Sequence, residues 1–147
     1  TDNPFAGRVI CGTCGRVFGR KVWNSTSEKL RRIVWQCNGK YLAKGEKGCG
    51  SRHIDDGVLY QAFVDVFNAM VEQKEYFLEK WQKSLASNNV LVQYKARQFI
   101  RILAEARAIK EFSVDLYFAL TEKIMVCEDG RLVVSLLDGT DIECEIE

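Results

Sequence analysis

The sequence predicts an α+β chain: a small glycine-rich β lobe, then a long antiparallel helical hairpin, then a short helix and a three-stranded β meander. Three observations carry this expectation. Residues 5–53 alternate short β-prone runs with turn formers. Residues 58–110 place apolar side chains at three- and four-residue steps. Residues 123–147, "KIMVCEDGRLVVSLLDGTDIECEIE", fall into three β runs divided by Asp129-Gly130 and Asp138-Gly139.

The β lobe holds four such runs: "RVIC" (8–11), "RVFG" (16–19), "KVWN" (21–24) and "RIVWQC" (32–37). After His53 the period changes. Asp55 or Asp56 can cap a helix start, and Leu59, Phe63, Val66, Met70, Phe77 and Trp81 form a stripe that breaks at Lys74. This predicts one helix over 58–83. "SLASNN" (84–89) supplies turn and capping residues, and Tyr94, Phe99, Ile102, Leu103, Ala106 and Ile109 predict a second helix over 90–110. So short a link makes the two antiparallel. Ser113 caps a third helix over 114–122. Asp-Gly suits two-residue hairpin turns, in which both positions take positive φ. The expected units are residues 1–56, 57–111 and 112–147, the last packing back near the lobe.

Of 147 residues 47% are hydrophobic, enough for a core, and 28% are charged. No apolar run reaches the ~18 residues of a membrane span. The N-terminal "TDNPFAGR" lacks the basic-then-apolar pattern of a signal peptide. A cytoplasmic, water-soluble protein is the expectation, with no small-molecule substrate. Charge is uneven. Residues 1–53 carry 11 Lys/Arg against 3 Asp/Glu, and residues 54–147 carry 10 against 17. A basic lobe on an acidic remainder is a footprint of nucleic-acid binding.

Six cysteines in a secreted chain would suggest disulfides. Cys11, Cys14, Cys37 and Cys49 instead give C-x2-C-x22-C-x11-C. A C-x2-C knuckle lets two thiolates face one ion while Gly12 and Gly15 permit the turn. A tetrahedral site needs two more ligands, and Cys37 and Cys49 lie in the same lobe. The expectation is one structural Zn²⁺ held by four thiolates, with no open position for a substrate. His53, four residues beyond Cys49, is the alternative fourth ligand. A redox pair at Cys11 and Cys14 would need a thioredoxin-like βαβ setting, which the pattern lacks. Cys127 and Cys144, expected in the outer strands of the meander, read as small hydrophobes.

A lobe of about fifty residues buries too little apolar surface to fold alone, so the metal would supply the missing free energy. Between and beyond the knuckles stand Arg16, Arg20, Lys21, Trp23, Lys29, Arg31, Arg32, Lys40, Lys44 and Arg52, with Asn24, Tyr41 and Lys47 among them. Cations interleaved with aromatics suit a duplex: they pair with phosphates, and Arg or Asn can read base edges.

Four stretches carry a resemblance: "FAGRVICGTCGRVF" (5–18), "VWQCNGK" (34–40), "GCGSRHID" (48–55) and "FSVDLYFALTEKIMVCEDGRLVVSLLDGTDIE" (112–143). In their order, with the paired helices between, the chain resembles the C-terminal zinc-ribbon and coiled-coil region of large serine recombinases, the phage integrase and transposase type. The resemblance implies a bacterial or phage-encoded parent protein whose catalytic serine lies in an upstream domain, so no residue of this chain is assigned to catalysis. It implies a zinc ribbon that grips double-stranded DNA at attachment half-sites, for integration or recombination. It also implies a helical coiled-coil arm that contacts other recombinase subunits. The arm is short here; its tip residues Leu85, Val90, Leu91 and Val92 either dock another arm or cap their own hairpin core. The rival reading is a zinc-stabilised protein-interaction module whose charge is incidental. A topoisomerase-like accessory ribbon is a third, for which tandem ribbons would be expected.

Overall fold

The computed structural model describes residues 3–40 and 48–145. It is α+β, with four helices and two sheets. Strand β1 (Val9–Cys11) leads into the first cysteine knuckle. Strands β2 (Phe18–Trp23), β3 (Arg32–Cys37) and β4 (Ile54–Asp55) form an antiparallel sheet in that order. The runs expected at 16–19 and 21–24 are thus one strand, since Gly19 and Arg20 keep pairing with Gln36 and Trp35. Helices α1 (Asp56–Glu72), α2 (Lys74–Ser84), α3 (Val90–Ala104) and α4 (Val114–Leu120) follow. The chain closes with β5 (Thr121–Val126), β6 (Arg131–Leu136) and β7 (Asp141–Glu145).

The C-terminal meander is present, and β1 joins it. Strand order is β1-β5-β6-β7, with β1 parallel to β5 in the register Val9↔Ile124, Ile10↔Met125, Cys11↔Val126. The meander therefore does more than pack near the ribbon: it takes the ribbon's first strand into its sheet. Gly12 is needed here for close approach and not for a left-handed turn. Its N–H donates to the Val126 carbonyl at 2.8 Å, and a Cβ at this position would lie 2.8 Å from that same oxygen. Gly15, at φ +81°, makes the turn.

Both hairpin loops differ from the two-residue expectation. The Cys127 N–H donates to the Arg131 carbonyl, and Gly130 N–H to Cys127; Leu136, Thr140 and Gly139 repeat the pattern. Only Gly130 (φ +89°) and Gly139 (φ +90°) are left-handed. These are three-residue loops ending in a glycine bulge. The aspartates stabilise them from the side: Asp129 accepts from the Arg131 N–H and Asp138 from the Thr140 N–H.

The helix expected over 58–83 is divided at Gln73 (φ −105°, ψ 35°), beside the stripe break at Lys74. The bend swings Phe77 and Trp81 onto α3, where Trp81 meets Phe99 at 5.1 Å, and lets the Trp81 indole donate to Asp138 at 3.0 Å. The helix expected over 90–110 stops at Ala104. Two side chains claim the backbone beyond it: Lys74 donates to the Ala106 carbonyl at 2.8 Å, and the Asn68 amide both donates to and accepts from Ile109. Those interactions replace helical hydrogen bonds. Helix α4 ends at Leu120, two residues early, because Thr121 already pairs with Leu136.

Caps follow the chemistry expected, with one exception. Asn89 accepts from the Leu91 and Val92 N–H groups, and Ser113 from Leu116. Asp55 stands at the N-cap of α1 but makes no side-chain cap. Asp55 instead binds Arg32 at 2.5 Å, and Asp56 accepts from the Trp35 indole at 2.9 Å, so both carboxylates lock α1 to β3.

One continuous core joins the two sheets through α1. Phe5 is fully buried and meets Tyr60, Tyr117 and Phe112 at centroid distances of 4.9, 5.1 and 5.5 Å. Cys144 lies in edge strand β7. Cys127 follows β5, an interior strand, and both cysteines are half-buried. Among the described residues no helix is long and apolar enough to cross a membrane.

Gly12→Ala should destabilise the metal-loaded protein by about 1–3 kcal/mol, the usual cost of forcing bulk into a closed contact. Urea denaturation checks this, and Gly50→Ala, where a Cβ meets nothing within 4 Å, is the control.

Candidate metal centre and nucleic-acid interface

Four elements bring four sulfurs together. Cys11 ends β1, Cys14 follows the knuckle turn, Cys37 ends β3, and Cys49 precedes β4. The knuckle is closed by Gly15 N–H donating to the Cys11 carbonyl at 2.9 Å and Cys11 N–H to Arg16 at 2.8 Å. On the other side the Cys49 N–H donates to Gly39 at 2.8 Å, which carries Cys49 back to the end of β3. All four Sγ atoms lie within 4.8 Å of one another. Cys11 and Cys49 are 3.7 Å apart and Cys14 and Cys37 3.3 Å. Sulfurs ~2.3 Å from a tetrahedral zinc stand about 3.8 Å from each other, so the cluster fits that ion in size and donor type.

The surroundings reinforce this fit. The Gly39 N–H donates to Cys37 Sγ at 3.3 Å, and the Ser51 hydroxyl lies 3.1 Å from Cys11 Sγ and 3.3 Å from Cys49 Sγ. Burial opposes ionisation of Cys11. Hydrogen bonds from Ser51, the Cys14 and Thr13 backbone and Cys49 together outweigh it and bring the thiol to about 6. Burial pushes Cys37 up to about 12, against the pull of the Gly39 N–H. One sulfur gives up its proton readily and another holds on. For all four sulfurs to stand together as thiolates, a cation is needed among them.

His53 is not part of the cluster. It packs at a tilt against Trp23 with ring centroids 4.6 Å apart, which removes it as the alternative ligand. Ser51 was not singled out in the sequence; its signal was the spacing Cys49-x-Ser51, which a hydroxyl shares with many turns.

The basic residues divide into several groups. Arg20 and Lys21 are exposed on β2, an edge strand of its sheet. Lys29 and Arg31 are exposed on the β2–β3 loop. That loop is folded on itself: Asn24 (φ 56°) donates to the Leu30 carbonyl, and Arg31 N–H donates to Ser27. Between its two cations Leu30 stands 62% exposed, a residue the sequence reading passed over. Arg16 and Arg52 are exposed beside the knuckles, and Lys40 is half-buried. Arg32 is engaged otherwise, bound to Asp55 at 2.5 Å with its guanidinium 5.5 Å from the Trp23 ring. Trp23 is half-buried under Arg32 and His53. Lys44, Tyr41 and Lys47 lie outside the described residues. Among the described residues Arg16, Arg20, Lys21, Lys29, Arg31, Lys40 and Arg52 make no ion pair.

The cysteine geometry and the paired ribbon strands give the comparison its meaning. Residues 4–68 match the recombinase zinc beta ribbon domain. The match passes Cys49, the last of the four clustered cysteines, and runs into α1. Among solved structures, the chain superposes on the crystal structure of a large serine recombinase (LSR)–DNA complex with a TM-score of 0.62. Identity is 15%, and the alignment covers 94% of this chain and 57% of that one. The likeness is one of fold, and this chain spans little over half the length of that neighbour. No curated protein matches. The resemblance to a recombinase zinc ribbon is thus supported over residues 4–68, and the chain as a whole shares its fold with that neighbour. The matched recombinase domain is a metal-binding ribbon and not a catalytic domain, and its four cysteines supply a zinc-type donor set.

Cys37→Ser should lose bound zinc and the cooperative melting of the ribbon, whereas Cys127→Ser and Cys144→Ser should retain both. Metal analysis with calorimetry checks this. Ser51→Ala should keep the stoichiometry and weaken zinc affinity about tenfold or more, measured by chelator competition.

Proposed function

We propose that this chain is the DNA-binding region of a site-specific serine recombinase, recognising attachment half-sites for integration or recombination. One structural zinc stiffens the ribbon, duplex DNA lies against it, and the hairpin α2–α3 meets other recombinase subunits. Cutting and rejoining are assigned to another domain of the parent protein. In this reading residues 1–56 are the DNA-gripping lobe, 57–111 the arm and 112–147 the scaffold.

The observation that supports the reading best is the β2–β3 finger. Its tip is a preformed loop bearing Lys29 and Arg31, its edge bears Arg20 and Lys21, and none of these cations has an acidic partner among the described residues. Ordering the finger beforehand removes part of the entropy cost of binding. Phosphate neutralisation would supply most of the affinity, with a few base contacts adding preference. Leu30, apolar and flanked by cations, has the chemistry to meet a thymine methyl in the major groove. Arg32 serves differently: tied to Asp55 and Trp23, it holds the base of the finger in place.

The exposed tip residues Leu85, Val90, Leu91 and Val92 favour protein contact as well: Val90 is 77% exposed, and Leu91 and Val92 are exposed beside it. That is compatible with subunit docking, and it also keeps the interaction-module reading in play.

A salt titration separates the two. Lys29→Glu with Arg31→Glu should weaken binding to a half-site duplex and reduce the slope of log K against log salt by about two. Unchanged binding in a gel-shift assay, or a flat salt response of the unsubstituted chain, would leave only the interaction module.

A further inference from the structure

The acidic remainder of the chain is not uniformly acidic. Residues 74–104, the α2–α3 hairpin, carry six Lys/Arg against two Asp/Glu, whereas residues 54–73 and 105–147 carry four against fifteen. The hairpin is a basic element set in an acidic body. On α3 the spacing of Val90, Tyr94, Arg97 and Arg101 aligns them along one side of the helix. All four are exposed, and the opposite side buries Ala96, Phe99 and Leu103. Among the described residues Arg97 and Arg101 have no acidic partner.

A surface of opposite character exists elsewhere in the same molecule. The sheet β1-β5-β6-β7 has one face in the core, through Val9, Ile124, Leu132 and Val134. Its other face carries a row in register, Ile10↔Met125↔Val133↔Glu143, of which the first three are half-exposed. Asp141 and Glu145 flank Glu143 on β7 and are exposed. Arg131 is held by Asp129 and Glu143, and Lys123 by Glu122, so Asp141 and Glu145 have no cation among the described residues. An apolar row ending in carboxylates matches an apolar tip continuing into guanidiniums.

We propose that the α3 stripe of one copy docks on the outer face of this sheet in a second copy. Val90 and Tyr94 would cover Ile10, Met125 and Val133, while Arg97 and Arg101 reach Glu145 and the Glu143 carboxylate oxygen that Arg131 leaves free. The proposal rests on the reading of the hairpin as a subunit-contact element, and it names the receptor. The hairpin cannot serve its own sheet this way. Trp81 on Asp138 and Lys95 on the Leu137 carbonyl fix it beside the β6–β7 loop, with the stripe turned outward. DNA is the weaker occupant, since phosphates give no reason for exposed Val90, Leu91 and Tyr94 beside the arginines. The contact is head-to-tail, so one copy uses its tip and offers its sheet to the next.

Sedimentation velocity of the zinc-loaded chain at low salt, over a concentration series, tests this. Wild type should self-associate. Arg97→Glu with Arg101→Glu should weaken association about tenfold or more, as like charges would then face each other. Glu143→Lys with Glu145→Lys should do the same, and a chain bearing all four changes should recover it. If Glu143→Lys disturbs Arg131, as zinc content and circular dichroism would reveal, Glu145→Lys alone carries the test. A sheet variant that associates like wild type while the tip variant does not would overturn the docking and leave the subunit-contact reading standing. A monomeric wild type at every concentration overturns both. Association that requires duplex and follows Lys29 and Arg31 overturns the docking in favour of a DNA-borne contact.

Discussion

Two thiolates 3.7 Å apart would repel each other by about 4.5 kcal/mol at an effective dielectric of about 20, and four of them in one cluster would repel pairwise. A divalent ion at their centre would turn that repulsion into attraction, and zinc coordination contributes folding free energy of order 10 kcal/mol in units this small. The rest of the structure depends on this exchange. Cys11 belongs to β1, which pairs with β5, and Cys37 ends β3, which carries the finger and binds α1 through Trp35. The same four sulfurs therefore set the position of both sheets. Without them the ribbon would be held by its own strand pairing, by the Arg32–Asp55 and Trp35–Asp56 contacts and by the core it shares with α1.

Rigidity then passes outward along β2 and β3. Their six-residue register is unbroken from Phe18↔Cys37 at the cysteine cluster to Trp23↔Arg32 at the far end. There Arg32, Asp55, Trp23 and His53 close the base of the loop, and Asn24 in the left-handed region turns the chain back. Lys29 and Arg31 project from a framework fixed at both ends. Arg32 looks equivalent to Arg31 in sequence, yet its charge is spent inside the molecule. A run of cations is therefore not a list of ligands for DNA: neighbouring carboxylates decide which of them are free.

Local chemistry was legible in the sequence, and long-range pairing was not. The cysteine spacing gave the metal set, Asn89 and Ser113 gave two caps, and Asp-Gly pairs located both hairpin loops. The loops proved one residue longer because glycine alone takes positive φ, and dipeptide identity does not fix loop length. The parallel pairing of β1 with β5 joins residues more than a hundred positions apart, and nothing within "RVIC" announces a partner in "EKIMV". The early end of α3 had the same origin. The apolar stripe through Ile109 is genuine, but Lys74 and Asn68 take the backbone that a helix would need. Carboxylates read as caps at 55 and 56 were better used by Arg32 and Trp35. At the end of α3 and at the two carboxylates, a distant side chain outweighed a local preference.

Those two interactions also explain how a basic hairpin can sit in an acidic body without disturbing it. Asn68 on Ile109 and Lys74 on Ala106 bring the two ends of the 74–104 segment together. On either side of that clamp the chain belongs to one core: Phe5, Tyr60 and Phe63 before it, Phe112, Tyr117 and Leu120 after it. The segment leaves and rejoins the body at one place, so loop-closure entropy changes only slowly with its length. Charge and tip composition on the outward side of the hairpin are thereby free of the constraints that fix the ribbon and the sheet, while its inner side stays tied to the β6–β7 loop through Trp81 and Lys95. An element that must match a partner's surface is best carried at such a junction, where altering it leaves the metal centre and the finger as they were.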